Sequence, residues 1–402
     1  MHNEMILRHA MASAATLLAI SPLAATAQEA TSEIRLDVTG RYDTNVARSS
    51  AAQAASRGLE RADTTISPTI NVRIVRPFGP HSASLDGSVG YQFHARNTEL
   101  NRERVGLNGA LDMAVGPCRV APHASIRRAQ SDLGDIALSS TLPATVRNTE
   151  TVVGFGSGLS CGDAYGLRPV AGIDYSRGTN SNPLRDRSEF EEWRYTSGLE
   201  YSSPGLGSVT LFASRRDVDL IQQPLTTGVD GYRITEYGLR YKRDVGTRFQ
   251  VQGTAARSRL NSRNLLITGV RGFVWDTRLT GQFGERLRAT LGAGRNISNS
   301  LASDSAFVVS KPYTLDLEYA LNDRLRLNSR LGYTERDYRY AATPLVDHID
   351  HETRKSFDVG ATLRTGQRLQ MRLGGGYERR NANGTTFDYG ATFVTASIGM
   401  RF

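Results

Sequence analysis

Phe387-Asp388-Tyr389-Gly390-Ala391-Thr392-Phe393, then Val394-Thr395-Ala396-Ser397-Ile398-Gly399-Met400-Arg401-Phe402, is the final stretch of the chain. Apolar residues recur here at every second position, the pattern of a strand with one apolar face. The parity slips once: Phe387, Tyr389, Ala391 and Phe393 give way to Val394, Ala396, Ile398, Met400 and Phe402. A one-residue slip in a period-two pattern predicts a β-bulge between Phe393 and Ile398, after which the strand pairs with the first one, Glu33–Val46.

The same period runs back through the sequence. Ile34, Leu36, Val38, Gly40 and Tyr42 alternate with Glu33, Arg35, Asp37, Thr39 and Arg41. Tyr313, Leu315, Leu317 and Tyr319 alternate with Thr314, Asp316 and Glu318, and Leu369, Met371 and Leu373 with Arg368, Gln370 and Arg372. The composition, with 39 Gly and 16 Tyr against 2 Trp, suits strands and turns better than helices. Beyond the N-terminus no apolar run approaches the roughly 20 residues of a membrane helix. A barrel shows no such run, because every second residue faces lipid and the average hydropathy stays low.

Connections alternate in length. Short links fall at Pro77–Pro80, Gly116–Cys118, Gly162–Ala164, Ser203–Gly205, Asp244–Gly246, Gly284–Glu285, Asn322–Asp323 and Thr365–Gln367. Longer polar loops fall between them at Ala47–Arg61, Ser131–Asn148, Asp217–Gly231, Ser258–Gly269 and Ala341–Asp350. Tyrosines close the apolar stripes, at Tyr42, Tyr91, Tyr313, Tyr319 and Tyr333, where lipid headgroups would lie. Together these predict an all-β, antiparallel, up-and-down transmembrane barrel of about 18 strands. The count falls to about 16 if the short alternations at Arg168–Tyr175 and Val209–Ser214 are not strands. An aromatic closing the last strand is the form of the assembly signal of bacterial outer-membrane barrels, so Phe402 predicts recognition by the barrel assembly machinery. An even count returns both termini to the periplasm, and the surroundings would be outer-membrane lipid and lipopolysaccharide.

Residues 1–27 read as a secretory signal peptide. Arg8 and His9 precede the apolar run Ala10–Ile20, Pro22 breaks it, and Ala25-Thr26-Ala27 supplies small residues for cleavage. The remainder, 28–402, reads as one barrel domain without a globular plug. Cys118 opens one strand and Cys161 closes the next, at the same end of one hairpin, which predicts a disulfide across the rim.

The formal net charge is +9, and Lys occurs only at Lys242, Lys311 and Lys355. The face opposite the apolar stripes takes Arg35, Arg41, Arg240, Arg278, Arg286, Arg288, Arg324, Arg326, Arg330, Arg364, Arg368 and Arg372 as candidate lining of a transport path. Asp37, Asp86, Glu236, Asp276, Asp316, Glu318, Asp358 and Glu378 share that face. Such a lumen favours anions, unless its arginines serve only to pair those carboxylates. Arginines scattered at strand spacing form no nucleic-acid patch. Asp347-His348-Ile349-Asp350-His351-Glu352 is the densest group of metal-ligand residue types, with His348 and His351 its weak candidates, but a polar outer loop needs no metal to explain it. No hydrolase elbow, phosphate loop or His-Cys cluster occurs, so neither an enzyme nor a cofactor is expected.

Gly40-Arg41-Tyr42-Asp43-Thr44-Asn45-Val46 resembles the signature near the mature N-terminus of the β-barrel porin 2 family, and Met400-Arg401-Phe402 resembles its ending. The resemblance implies a monomeric outer-membrane barrel of about 18 strands and a place in exopolysaccharide export beside a periplasmic polysaccharide-export protein. A wide, polar, arginine-bearing lumen would suit an anionic polysaccharide. The alternatives are a general anion-preferring diffusion porin and a structural or adhesive barrel. Tyr42, Asp43 and Asn45 carry no chemistry in this reading; they order the first strand and its loop.

Overall fold

The computed structural model describes residues 30–136, 147–225, 228–263, 269–299, 305–340, 349–383 and 387–402. Segment 1–27 lies outside them. The first six strands are β1 Thr31–Asp43, β2 Asp63–Phe78, β3 His81–His94, β4 Arg102–Val115, β5 Cys118–Gln130 and β6 Thr149–Cys161. Next come β7 Gly166–Asn180, β8 Phe190–Ser203, β9 Gly207–Leu225, β10 Gly228–Val245, β11 Phe249–Ser262 and β12 Arg271–Phe283. The last are β13 Leu287–Ser298, β14 Ser305–Ala320, β15 Leu325–Tyr340, β16 His351–Thr365, β17 Leu369–Ala382 and β18 Tyr389–Arg401. Two short helices, α1 Ala51–Ser56 and α2 Leu133–Ile136, lie in the loops after β1 and β5.

All neighbours pair antiparallel in one 18-stranded sheet, and β18 closes on β1 with Arg401 opposite Arg35 and Phe393 opposite Asp43. The Phe402 N–H donates to the carbonyl of Ile34 at 2.9 Å, so the ladder reaches the last residue. All eight expected short links are turns at one end of the barrel. Gly284 (φ 63°) and Gly366 (φ 69°) take left-handed conformations there, which cost a residue with a Cβ far more than glycine. Cys118 and Cys161 are cross-strand partners on β5 and β6 and form the expected disulfide.

The two regions of weak alternation are long strands, β7 and β9. Of Asp217–Gly231, expected as a loop, the described residues Asp217–Leu225 and Gly228–Gly231 instead form the upper part of β9 and β10. The bulge expected between Phe393 and Ile398 is also absent: β18 keeps unbroken register with both β1 and β17. Both differences have one cause. In the lower wall, apolar side chains face out: Leu211 on β9, Tyr237 on β10 and Ile398 on β18 are strongly exposed. Toward the long-loop end the sense reverses. Val218, Leu220, Tyr232, Ile234, Tyr389, Ala391 and Phe393 are buried on the inner face, while Arg215, Asp217 and Arg233 pair outside. The strands thus pass from lipid, with apolar residues outward, to a region with water outside and packed protein inside. A change of parity is how a straight strand meets that change of solvent.

Phe393 turns inward at little steric cost because Gly376 is its partner on β17. The Arg41 guanidinium covers the Phe393 ring, 3.7 Å from its centroid, a cation–π contact.

Candidate functional site: the lumen and its mouth

The inner face divides into a wet lower part and a packed upper part. Parity places Arg35 and Arg41 (β1), Arg240 (β10), Arg278 (β12), Arg288 (β13), Arg326 and Arg330 (β15), Arg364 (β16) and Arg372 (β17) on the inner face. Arg286, Arg324 and Arg368 stand instead in the short turns, exposed at the rim. Their carbonyls extend the ladder, accepting from the N–H groups of Ala320, Arg364 and Arg401 respectively.

Some of the inner arginines are neutralised. Arg35 pairs with Asp37 at 2.7 Å, Arg41 with Asp43 at 2.7 Å, Arg326 with Glu318 at 3.0 Å, and Arg330 with Asp316. Arg240 lies over the ring of Phe212 at 5.3 Å. Arg278 and Arg288 are exposed to the lumen and make no ion pair among the described residues. The lower lumen therefore carries both structural pairs and accessible positive charge.

In the upper part, among the described residues, three segments fold inward. The first is Ser131–Ile136, after β5. Its helix α2 places Asp135 against Arg336 of β15, 3.2 Å away, and against Arg354 of β16. Arg380 of β17 donates to the carbonyl of Gly134 at 2.6 Å and meets Glu352 at 2.5 Å. Arg336, Arg380, Glu352 and Asp135 are buried, and Arg354 is nearly so. This loop spans from the β5–β6 wall to the β15–β17 wall and is held there by charge-assisted bonds in a dry setting, where such bonds are strongest.

The second segment is the loop after β1. Asp43 accepts from the Asn45 N–H at 2.9 Å and pairs with Arg48 at 2.8 Å. Asn45 donates to the carbonyls of Ser49 (2.9 Å) and Gly390 (3.2 Å). Asp43 and Asn45 therefore order this loop, while Tyr42 faces outward, half exposed. Arg57, after α1, donates to the carbonyls of Leu133 (3.1 Å), Ala47 (2.9 Å) and Gln53 (3.2 Å), joining the two loops. Burial, reinforced by the charges of Arg185 and Arg380, pulls the Arg57 pKa down to about 10, still protonated at neutral pH. Ala47, Ala54, Leu59, Leu100 and Leu133 form the apolar seam between them.

The third segment is the tip of the β13–β14 hairpin. Trp275 and Arg295 are the last cross-strand pair of β12 and β13; beyond them β12 stays with β11 and β13 with β14. The freed tip is buried on both faces. Ile297, Phe307 and Val309 pack on Val218, Tyr232, Ile234 and Leu260 from the inner wall of β9–β11, and Val308 packs on Tyr338, Ile349 and Phe387. Arg216 of β9 donates to the carbonyl of Ile297 at 2.8 Å.

Sequence parity places Arg336, Arg354 and Arg380 on the same face as Arg330, Arg364 and Arg372, so alternation carried further up the strands would have found the clamp arginines. Asp135, in an irregular loop, has no such signal. His351 is on the outer face of β16, exposed and 2.9 Å from Asp337, and His348 lies outside the described residues. Among the described residues no group of His, Cys, Asp and Glu could hold a metal ion.

A closed 18-strand barrel with an apolar outer belt and a polar interior defines a porin-like barrel of the bacterial outer membrane. Residues 245–402, which include the closing Met400-Arg401-Phe402, match the family model described as Putative beta-barrel porin 2. No curated protein matches the chain. Among solved structures, OccK2 (OpdF) of Pseudomonas aeruginosa is 14% identical with a TM-score of 0.48, over 92% of this chain and 98% of that one. A BenF-like porin of Pseudomonas fluorescens Pf-5 is 10% identical with a TM-score of 0.47, over 92% and 99%. OccAB2 of Acinetobacter baumannii is 12% identical with a TM-score of 0.46, over 92% and 98%.

Proposed function

We propose that this barrel is an outer-membrane pore for anionic substrates that rests closed, and that the substrate it passes outward is an anionic exopolysaccharide. In this reading residues 1–27 are removed as a signal peptide, Phe402 addresses the barrel assembly machinery, and both termini face the periplasm. A periplasmic polysaccharide-export protein docks on the short-turn rim, near Arg286, Arg324 and Arg368. The chain moves its substrate and catalyses nothing.

The observation that carries the proposal is the pairing of an accessible positive lumen, at Arg278 and Arg288, with inward-folded segments packed in the mouth above it. A polar interior alone would fit any porin. A buried charge clamp and an apolar plug on the same path fit a pore that opens on demand. A diffusion porin, the second reading, shares the arginine lumen but has to conduct without a partner.

Planar-bilayer recording separates the two. The export reading expects little conductance from the purified barrel and a marked rise with its periplasmic partner. In an opened variant, Arg278→Gln with Arg288→Gln lowers the anion preference read from the reversal potential. Deleting the gene removes or reduces surface polysaccharide. Free conductance of the isolated barrel with unchanged surface polysaccharide assigns the chain to diffusion instead.

A further inference from the structure

Above the apolar belt, the outward-facing cations of β5, β9, β10 and β14 are matched by acids. Arg215 and Arg233 share Asp217 at 2.7 and 2.5 Å, Lys311 meets Glu335 at 2.9 Å, and Arg128 meets Glu103 at 2.5 Å. On β11 and β12, as at Lys355 opposite Arg379 on β16 and β17, this pattern stops. Arg257, Arg259 and Arg271 share the outer face with the strongly exposed Phe273, and no Asp or Glu stands on that face of β11 and β12 among the described residues. Arg259 is directly opposite Arg271, Arg257 opposite Phe273, and Trp275 opposite Arg295.

Like charges directly opposite on neighbouring strands repel and destabilise the pair. Arg259 is also held in place, donating to the side-chain oxygen of Asn261 at 3.0 Å. Three positive groups, partly fixed and without a counter-charge of their own, attract an anion from outside the chain.

We propose that Arg257, Arg259 and Arg271 bind the phosphate of a lipid headgroup on the outer wall of the barrel. Their height selects a lipid over a soluble anion. Below them β11 presents Phe249, Val251, Gly253 and Ala255 outward. From Phe249 to Arg257 a tilted barrel strand rises roughly 20 Å, close to the apolar band's height. The phosphate of a lipid whose chains cover that stripe arrives at the guanidinium level, and Phe273 and Trp275 supply the amphipathic surface usual at this depth. Phosphate oxygens match the arginine fork, so one headgroup can bridge strands that otherwise repel.

The test is native mass spectrometry and thermal unfolding of the folded barrel in a neutral detergent. The probes are lipid A with two phosphates, lipid A with its phosphates removed, and inorganic phosphate. The wild type should retain phosphorylated lipid A and melt at higher temperature with it; the dephosphorylated lipid and free phosphate should do neither. R259Q/R271Q should lose at least tenfold in retained lipid and all of the lipid-dependent rise, while melting at or above the wild-type temperature without lipid, because the repulsion is gone. R215Q/R233Q, which removes cations that already have an acid, should bind lipid as the wild type does. Heat-modifiable gel mobility confirms that each variant is folded, and R271Q alone gives a smaller loss if the double variant does not assemble. Equal retention of both lipid A forms, equal losses in the two double variants, or binding of inorganic phosphate as strong as that of the lipid would overturn the proposal.

Discussion

Arg336 of β15 reaches Asp135 at the far wall's loop, Nη1 to Oδ1 3.2 Å, although the two residues are 201 apart in sequence. With Arg354 on the same carboxylate, this contact ties a crossing loop to the opposite side of the barrel. Asp135→Asn keeps the shape and removes the charge. Arg336 and Arg354 then lose one of the two anions they share, Glu352 remaining, at a cost of at most about 3 kcal/mol. Borne by the closed state alone, that is a gain of up to roughly a hundredfold in the open-to-closed ratio. Single-channel recording should show long openings that the wild type lacks, with the heat-modifiable gel shift of the folded barrel unchanged.

The Cys118–Cys161 bridge joins partners 43 residues apart that the sheet already holds side by side. It acts mainly on the unfolded chain, by closing the long loop between them, and removing it costs at most about 4 kcal/mol. Cys118→Ser with Cys161→Ser should therefore fold to the same barrel and unfold at lower urea in detergent. The oxidised wild type should run faster than its reduced form on a denaturing gel; equal mobility would show that the bridge does not form.

What the sequence makes legible follows the solvent. Where lipid lies outside, apolar side chains alternate in one sense, and strands such as β1, β16 and β17 can be read directly together with their turns. The disulfide follows from the position of two residues in that pattern. The upper wall is harder, because Val218, Tyr232 and Phe393 are apolar on the opposite parity and imitate a loop or a bulge. Their side is decided by what fills the lumen, and that is supplied by loops remote in sequence. Nothing local to Leu133–Ile136 marks it as a segment that crosses a barrel. The lower-lumen arginines were legible as a face, but whether each is paired, like Arg330, or accessible, like Arg288, depends on rotamers that alternation does not encode.

Gly376 explains why the last strand needs no bulge. A Cβ there would lie 2.6 Å from Cζ of Phe393 and 2.5 Å from the carbonyl oxygen of Phe357. Gly376→Ala must push the Phe393 ring off its seat beneath Arg41, an overpacking cost of about 1–3 kcal/mol. Gly172→Ala, on the inner face of β7, meets only an ordinary 3.7 Å contact and serves as the control. Urea unfolding in detergent should show a clear loss for the first substitution and little change for the second. Equal midpoints would mean that Phe393 does not occupy the space above Gly376.

Phe307 is the fully buried anchor of the β13–β14 tip, its ring 6.1 Å from that of Tyr232. The tip has left β12, so this packing, with the Arg216 bond to Ile297 and the β14–β15 ladder, keeps it inside. Phe307→Ala removes a large side chain from a dry cluster at a cost of about 3–5 kcal/mol. Most of that loss should fall on the tip, because β15 and the Arg216 bond are then its main remaining supports from the wall. Limited proteolysis of the folded variant should therefore cut near the β13–β14 connection while the rest of the barrel resists, and its conductance should rise. The mouth is held by two separate devices, a charge clamp at Asp135 and an apolar anchor at Phe307. Asp135→Asn combined with Phe307→Ala should then open the pore further than either alone; a double variant no more open than the better single one would show that a single gate controls the path.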